Sequence, residues 1–524
     1  MRQTCWSFGL VVVLWTTIGL SAAFSQANRL LPVGDAAYHT IERLQRRGFL
    51  LELNPTALPY RFGDVRDAIE DVPDGALSHL ERRWLDLLRR RLKLDGRSKR
   101  PDTFSAGVDL ELGSRLTDHQ RLDPLRAFSD SARVYPWAVL RLWLTAGPVV
   151  AESGSRPDLF YNEDPLGLDA TLRLAMRSEH SHVGVQTRYV SVHLGRIAQH
   201  WGLPSGDGVL ISDNPLPYDL VSLRLGTERL SVRALIGELD SVTEDGRFTG
   251  RVADVTEEAG NLRRFVSAHR WDWRPSRRLT LSFLESAIYS GENSGLSLKY
   301  LNPMHPFVWV VDNRPKNDEN NGFLGGLLWA QTGKWTWHGQ LVVDDFDIEH
   351  LGREPASFAL TGDVVRAAGN LDVGAALTMV ATRTYNTDQP SGKYMYLLGG
   401  LAAPFSDYVQ GGVYADVYVD NWLPGLQLTP RFDVLAQGEV DFRDPFGTSN
   451  DNFGTILEGT VERTLRPSLQ VAYQGSPWWW IRLDGGVNFT SNKDHVEGAR
   501  DTRFAGLVTA AIRLSIHGSS RATW

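Results

Sequence analysis

The stretch Thr509-Ala510-Ala511-Ile512-Arg513-Leu514-Ser515-Ile516 puts Ala510, Ile512, Leu514 and Ile516 on one side of an extended chain. Thr509, Arg513 and Ser515 fall on the other side. That period of two marks a strand with one apolar face and one polar face. The same pattern recurs along the chain. Ala106, Val108, Leu110 and Leu112 alternate with Gly107, Asp109, Glu111 and Gly113. Leu172, Leu174 and Met176 alternate with Thr171, Arg173 and Arg177. Val413, Ala415, Val417 and Val419 alternate with Tyr414, Asp416 and Tyr418. Trp479, Ile481, Leu483 and Val487 alternate with Trp480, Arg482, Asp484 and Asn488. About 16–20 such segments follow Thr103, many near the ~9–11 residues of a tilted membrane strand. An apolar exterior around a polar lumen is the signature of a mainly β fold, a transmembrane antiparallel β-barrel.

Connection lengths point the same way. Arg274 to Arg278 is short and Ser290 to Gly322 long. Gly333-Lys334 is short and Asp344 to Ala356 long. Gly369-Asn370 is short, Arg383 to Lys393 long, and Pro404 to Asp407 short again. Outer-membrane barrels alternate short periplasmic turns with long extracellular loops. The rhythm blurs in the first strands and after Asp420. Trp335, Trp337 and Trp478-Trp479-Trp480 follow short turns, where an interfacial aromatic girdle belongs, and Trp422 lies just past a strand end. The competing architecture is a secreted β-sandwich or propeller with aromatics in its core. It would not require a charged face behind each apolar stripe.

The first residues read as a secretory signal, with Arg2 ahead of an uncharged apolar run from Cys5 to Leu20 and small-residue cleavage patterns ending at Ala23 and Ala27. Cleavage after Ala27 is expected, giving a signal peptide over 1–27. Cys5, the one cysteine, leaves with it, so the mature chain has no disulfide and no thiolate metal site. Net charge is −7, or −8 once Arg2 is removed, which argues against nucleic-acid binding. No later run is apolar enough for a membrane helix, so spanning requires a closed barrel.

Residues 28–100 read as a helical region and 101–524 as the barrel. Asp35 is the expected N-cap of a first helix carrying Ala36, Ala37, Ile41 and Leu44, and Gly48 stops it. Asp64 is the expected cap of a second helix with Val65 and Ile69. Ser78 opens a third, with Leu80, Trp84, Leu87, Leu88 and Leu92 on one side and Arg82, Arg83, Arg89, Arg90 and Arg91 on the other. That arginine set reads as a solvated face or as a contact for anionic lipid or glycan.

The chemistry-bearing stretch follows a segment, Val183 to Leu194, that reads as one strand. Gly195-Arg196, His200-Trp201-Gly202 and Leu210-Ile211-Ser212-Asp213-Asn214-Pro215 form a loop rich in turn residues. Trp beside Arg, His and Asn suits sugars, since C–H faces stack on rings while guanidinium and amide groups bind hydroxyls or uronate carboxylates. The alternative is that Arg196 and Trp201 hold a loop folded into the barrel. Arg196, His200, Trp201, Asn214, Asn313 and Arg314 are the glycan-binding candidates. Asp344, Asp345 and Asp347, with Glu349 and His350, form the densest acidic cluster and are the metal candidates, although their spacing is not that of an EF-hand. There is no Gly-x-Ser-x-Gly elbow, no His-Glu-x-x-His and no phosphate-binding loop. His180 and His182 flank Ser181, in a context that reads as a turn. No cofactor is implied.

The order of these blocks resembles the capsule assembly Wzi family. Gly34-Asp35-Ala36-Ala37-Tyr38, Pro59-Tyr60-Arg61, Lys299-Tyr300-Leu301-Asn302-Pro303 and Leu341-Val342-Val343-Asp344-Asp345-Phe346 are also similar to family blocks. The resemblance runs from about residue 30 to at least 350. It implies an outer-membrane barrel of 18 strands with a helical start, and the position of that start before the first strand points to the periplasm. The expected function is non-enzymatic binding or anchoring of capsular or extracellular polysaccharide, with outer-membrane lipids as the other partner and a monomer as the expected state. A porin-like channel for small solutes is the second expectation. A barrel enzyme acting on lipid or glycan, with Ser, His and an acid brought from separate strands, is the third.

Overall fold

The computed structural model describes residues 28–92, 104–119, 122–126, 129–162, 176–243, 261–291, 294–307, 319–344, 357–387, 389–420, 422–444 and 455–520. Eighteen strands make up the wall. They are β1 (Phe104–His119), β2 (Ser129–Ala146), β3 (Val149–Pro157), β4 (Ser181–Gln186, with Met176–Ser178 before a bend), β5 (Val190–Arg196) and β6 (Asp219–Gly226). Next come β7 (Leu230–Glu238, with Val242–Thr243 beyond it), β8 (Asn261–Ser276), β9 (Leu279–Gly291), β10 (Glu319–Thr332), β11 (Trp335–Asp344) and β12 (Ser357–Ala368). The last six are β13 (Leu371–Val380), β14 (Tyr408–Tyr418), β15 (Leu426–Gln437), β16 (Glu462–Tyr473), β17 (Trp479–Ser491) and β18 (Arg500–Ser520). Each pairs antiparallel with its neighbours in sequence, and β18 pairs with β1 from Leu507↔Thr117 to Ser520↔Phe104, which closes the barrel.

The burial pattern is inverted relative to a water-soluble protein. Leu112, Val413, Leu514 and Ile516 are exposed, whereas Arg264, Arg270 and Arg466 are buried. Strand alternation therefore sends apolar side chains outward and charges into the lumen, as lipid surroundings demand. Among the described residues no helix is long and apolar enough to cross a membrane. Trp273, Trp335, Trp337, Trp478 and Trp479 stand exposed beside the short turns, as a girdle requires. Trp480 instead turns to the other face, where its Nε1 donates to Glu111 Oε1 at 3.3 Å.

Shorter turns and longer loops alternate between the strands, although 419–425 at one end is nearly as long as 492–499 at the other. Two expectations are corrected. Val183 to Leu194 is not one strand: β4 and β5 are joined by a tight turn in which the Thr187 hydroxyl donates to Val190 O at 2.9 Å. Pro404 to Asp407 is not a wall turn either. The described residues of 381–407 form a single strap between β13 and β14 that folds into the lumen. The Leu172 and Leu174 alternation lies outside the described residues.

Three helices sit at the short-turn end: α1 (Ala37–Arg46), α2 (Phe62–Glu70) and α3 (His79–Arg91). They enclose a core of Leu31, Ile41, Leu44, Val65, Ile69, Trp84 and Leu88, with Tyr418 of the wall packed into it. Gly48 takes a positive φ of 87° just past α1, and the Gly48 and Phe49 amides bond back to Gln45 O and Leu44 O, each at 2.9 Å. Ser78 forms a full capping box with Glu81. The other two caps differ from expectation. Ala36, not Asp35, occupies the N-cap of α1, with Asp35 Oδ1 accepting from Ala37 N at 2.8 Å. Asp64 lies in the first turn of α2, which Arg61 precedes. Arg91 departs from the solvated arginine face: it is buried and holds Asp35.

Candidate functional site

The lumen is filled from both ends. From the short-turn end, the helical cap is fastened to the wall by buried or half-buried charges. Arg29 holds Asp109 of β1 and Glu152 of β3, each at 2.8 Å. Asp35 takes Arg91 of α3 at 2.8 Å and Arg513 of β18 at 3.1 Å. Arg47 reaches Asp372 of β13 at 2.7 Å, and Arg83 reaches Asp420 at 2.8 Å. Arg274 of β8 donates to Leu51 O and Glu52 O at 2.6 and 2.8 Å. Burial works against the charge on Asp35, yet Arg91 and Arg513 outweigh it and hold the carboxyl well below the usual carboxylate range.

From the long-loop end, residues 197–218 and the 381–407 strap descend into the barrel. They pack Trp201, Val209, Leu210 and Ile211 against Tyr385, Tyr394, Leu401 and the wall residues Val342 and Val380. The Tyr385 hydroxyl donates to Val209 O at 2.6 Å, and that of Tyr394 to Leu210 O at 2.9 Å. The two fillings meet. Leu58 of the cap and His200 of the loop form a bridge through Leu58 N to His200 O at 3.0 Å. Ser205 donates to Glu42 Oε1 at 2.6 Å.

The candidates named from sequence fall into three groups. Trp201 is 1% exposed and part of the lumen core. His200 is buried between Asp213 Oδ1 at 2.8 Å and Leu203 O at 2.9 Å, and Asn214 Nδ2 donates to Gly400 O at 2.8 Å. These three side chains hold the loop inside the barrel. Burial opposes the charging of His200, but the bond to Asp213 prevails and raises its pKa, while Asp213 is lowered in turn. Arg196 stands apart: it is partly exposed at the long-loop end of β5 and paired with Asp219 at 2.9 Å. Tyr218 and Tyr396 pack on each other with ring centroids 5.6 Å apart, and Tyr396 lies near enough to act electrostatically on Arg196. Asn313 and Arg314 lie outside the described residues, as do Asp345, Asp347, Glu349 and His350. Asp344 is buried at the end of β11, and its Oδ2 accepts from Tyr385 N at 2.6 Å, so that carboxylate anchors the strap.

The structure also brings together residues that the sequence did not connect. Tyr161 and Arg177 stack at the long-loop end, with the guanidinium 3.8 Å from the ring centroid. Arg156 pairs with Asp158 at 3.0 Å and with Glu179 at 3.5 Å. Lys393 of the strap donates to Arg443 O and Asp444 O at 3.1 and 2.6 Å, and burial lowers its pKa to about 8. Ser181 Oγ donates to Gly154 O at 3.1 Å and accepts from Ser178 at 2.8 Å.

No family model and no curated protein matches the sequence. Solved structures do match. One is Wzi from Escherichia coli, described as an outer-membrane protein involved in group 1 capsule assembly and a carbohydrate-binding β-barrel. It is 11% identical, with a TM-score of 0.60 over 93% of this chain and 99% of that one. The Pseudomonas aeruginosa outer-membrane protein OpdK is 13% identical, with a TM-score of 0.43 over 79% of this chain and 99% of that one. OccD3 from the same organism is 11% identical, with a TM-score of 0.46 over 78% and 91%. The chain is thus an outer-membrane-type barrel with a Wzi-like fold, closed by 18 antiparallel strands.

Proposed function

We propose that this protein is a non-enzymatic outer-membrane barrel that binds or anchors capsular or extracellular polysaccharide at the cell surface. The filled lumen carries the proposal. Cap, loop and strap occupy the interior and bond to one another, so contacts with a large external ligand belong to the long-loop end rather than to a solute path. In this orientation the short turns and helical cap face the periplasm, after removal of residues 1–27, and the long loops face outward. The likeness to a carbohydrate-binding barrel supports the same ligand class.

Arg196, Tyr396 and Arg177 give the long-loop end guanidinium and ring surfaces suited to acidic or neutral sugars, with Arg177 stacked over the buried Tyr161 ring. Many weak contacts along a repeating polymer add by multivalency, so no tight single site is needed. Asn313 and Arg314 are proposed to extend this surface. His200, Trp201 and Asn214 act beneath it by fixing the 197–218 loop.

The test is the partition of high-molecular-weight polysaccharide between cells and medium, with and without the gene. Polymer shifting into the medium at unchanged total supports attachment. An unchanged partition refutes it, and steady single-channel conductance from the purified protein would then establish a channel.

A further inference from the structure

We propose that Glu152, His180 and His182 form a binding site for one divalent transition-metal cation, built into the inner face of the barrel wall beneath the helical cap. Glu152 on β3 lies directly across from His182 on β4 in the strand register. His180 sits in the bend that interrupts β4, where a positive φ of 55° swings its ring to the same side. The two imidazoles meet edge to face with centroids 4.9 Å apart. His180 Nε2 is 3.8 Å from Glu152 Oε2. One ligand atom from each residue lies within 4.8 Å of the others, and all three residues are buried.

The imidazoles point to a ligand because their nitrogens are unsatisfied. His180 Nε2 and both ring nitrogens of His182 are buried without a hydrogen bond. His180 and His182 are only 5% and 6% exposed, so bulk water does not serve them. Buried polar atoms of this kind need a partner, and a neutral imidazole offers a lone pair that a cation can take. Two imidazoles and one carboxylate are a known donor set for zinc with three protein ligands and a fourth position open to water.

Glu152 is already engaged by Arg29, at 2.8 Å from Oε1 and 3.2 Å from Oε2. A carboxylate offers about four lone-pair sites, so Arg29 leaves room for a metal bond. Arg29 is itself shared with Asp109, and Arg513, which is 4.0 Å from Asp109, has its nearer partner in Asp35 at 3.1 Å. Arg29 with its two carboxylates carries a net charge of −1, so Glu152 keeps lone pairs to offer even though further arginines lie nearby. The surroundings also fix the ligands, as metal sites require. His193 packs its ring edge-on against His182 at 5.6 Å and is held by Gln186 at 2.6 Å. Tetrahedral zinc with bonds of about 2.0–2.2 Å places ligand atoms roughly 3.4 Å apart, so modest rotations of the two rings complete the site.

The test uses the full mature protein in detergent, stripped with a chelator and then titrated with Zn²⁺ alone. One zinc per chain is expected, with X-ray absorption showing two imidazole nitrogens. His182→Gln should weaken binding more than about tenfold, while heat-modifiable gel migration reports that the barrel is still folded. The proposal is overturned if the wild-type protein takes up no stoichiometric zinc. It is equally overturned if folded His182→Gln binds as tightly, or if the absorption spectrum lacks imidazole ligands. The spectrum of the wild-type protein decides even if the variant does not fold.

Discussion

Replacing Arg29 with Met removes the cation that joins the start of the chain to two wall strands. Arg29 donates to Asp109 at 2.8 Å and to Glu152 at 2.8 and 3.2 Å, and its guanidinium lies 4.5 Å from the Trp143 ring centroid. Both carboxylates are buried, so Arg29→Met leaves them without their main partner. Removing one member of a buried ion pair costs about 3–5 kcal/mol. Asp109 retains Arg513 at 4.0 Å, which places the expected loss near the lower bound, about 3 kcal/mol. At about 1.4 kcal/mol per tenfold, cap opening should rise roughly a hundredfold. Hydrogen exchange at the α1–α3 amides measures that opening directly. The exposed Arg61–Asp64 pair provides the contrast, since Arg61→Met should cost no more than about 1 kcal/mol. Equal protection of the cap in Arg29→Met and the wild-type protein would refute the idea that buried charge fastens it.

Three further outcomes are expected. Because the Asp35 carboxyl is depressed in the folded state, its contribution is fully present above the ordinary carboxylate pKa and is lost as pH falls toward the lower folded value. Cap exchange should therefore accelerate only in strong acid, and Asp35→Asn should loosen the cap at neutral pH and remove that dependence. His200 carries the opposite sign, since its pKa is raised: its contribution is full below the unfolded histidine pKa and is lost as pH rises through the folded one. Exchange in residues 197–218 should rise with alkalinity, and a pH-independent loop, or one unchanged by His200→Gln, would count against the Asp213 contact. Val413 faces outward in the middle of β14, so Val413→Arg should destabilise folding into lipid vesicles by about 2–4 kcal/mol, measured by denaturant titration. No loss there would mean that this face does not meet lipid.

The wall was legible because lipid imposes a simple rule on each strand. Ala510 to Ile516 and Val413 to Val417 alternate without interruption, so period, face and strand type follow from the residues alone. The β4–β5 turn was not legible, because Thr187, Arg188 and Tyr189 carry no glycine or proline and a threonine hydroxyl closes the turn. The strap misled for the opposite reason. Pro404, Ser406 and Asp407 have turn chemistry, but the chain spends it inside the lumen, where Asp407 Oδ1 accepts from Thr382 Oγ1 and Leu457 N. Loop composition marked residues 195–217 as special yet could not say which way Trp201 faces. An inside-out protein makes a polar neighbourhood compatible with full burial. Glu152 was invisible as a partner of His180 and His182 because strand register, not sequence spacing, brings it to them.

Arg513 and Asp109 belong to the last and first strands of the wall, while Asp35 and Arg29 precede both. This knot of charges can be completed only once the two ends of the sheet have met. A barrel still open at that seam offers Arg29 the β1 and β3 carboxylates but gives Asp35 no Arg513. Docking of the cap is thereby coupled to correct closure, and a chain truncated within β18 should leave its N-terminal helices open to added protease. Protection of the helices would then report that the seam between the first and last strands has closed.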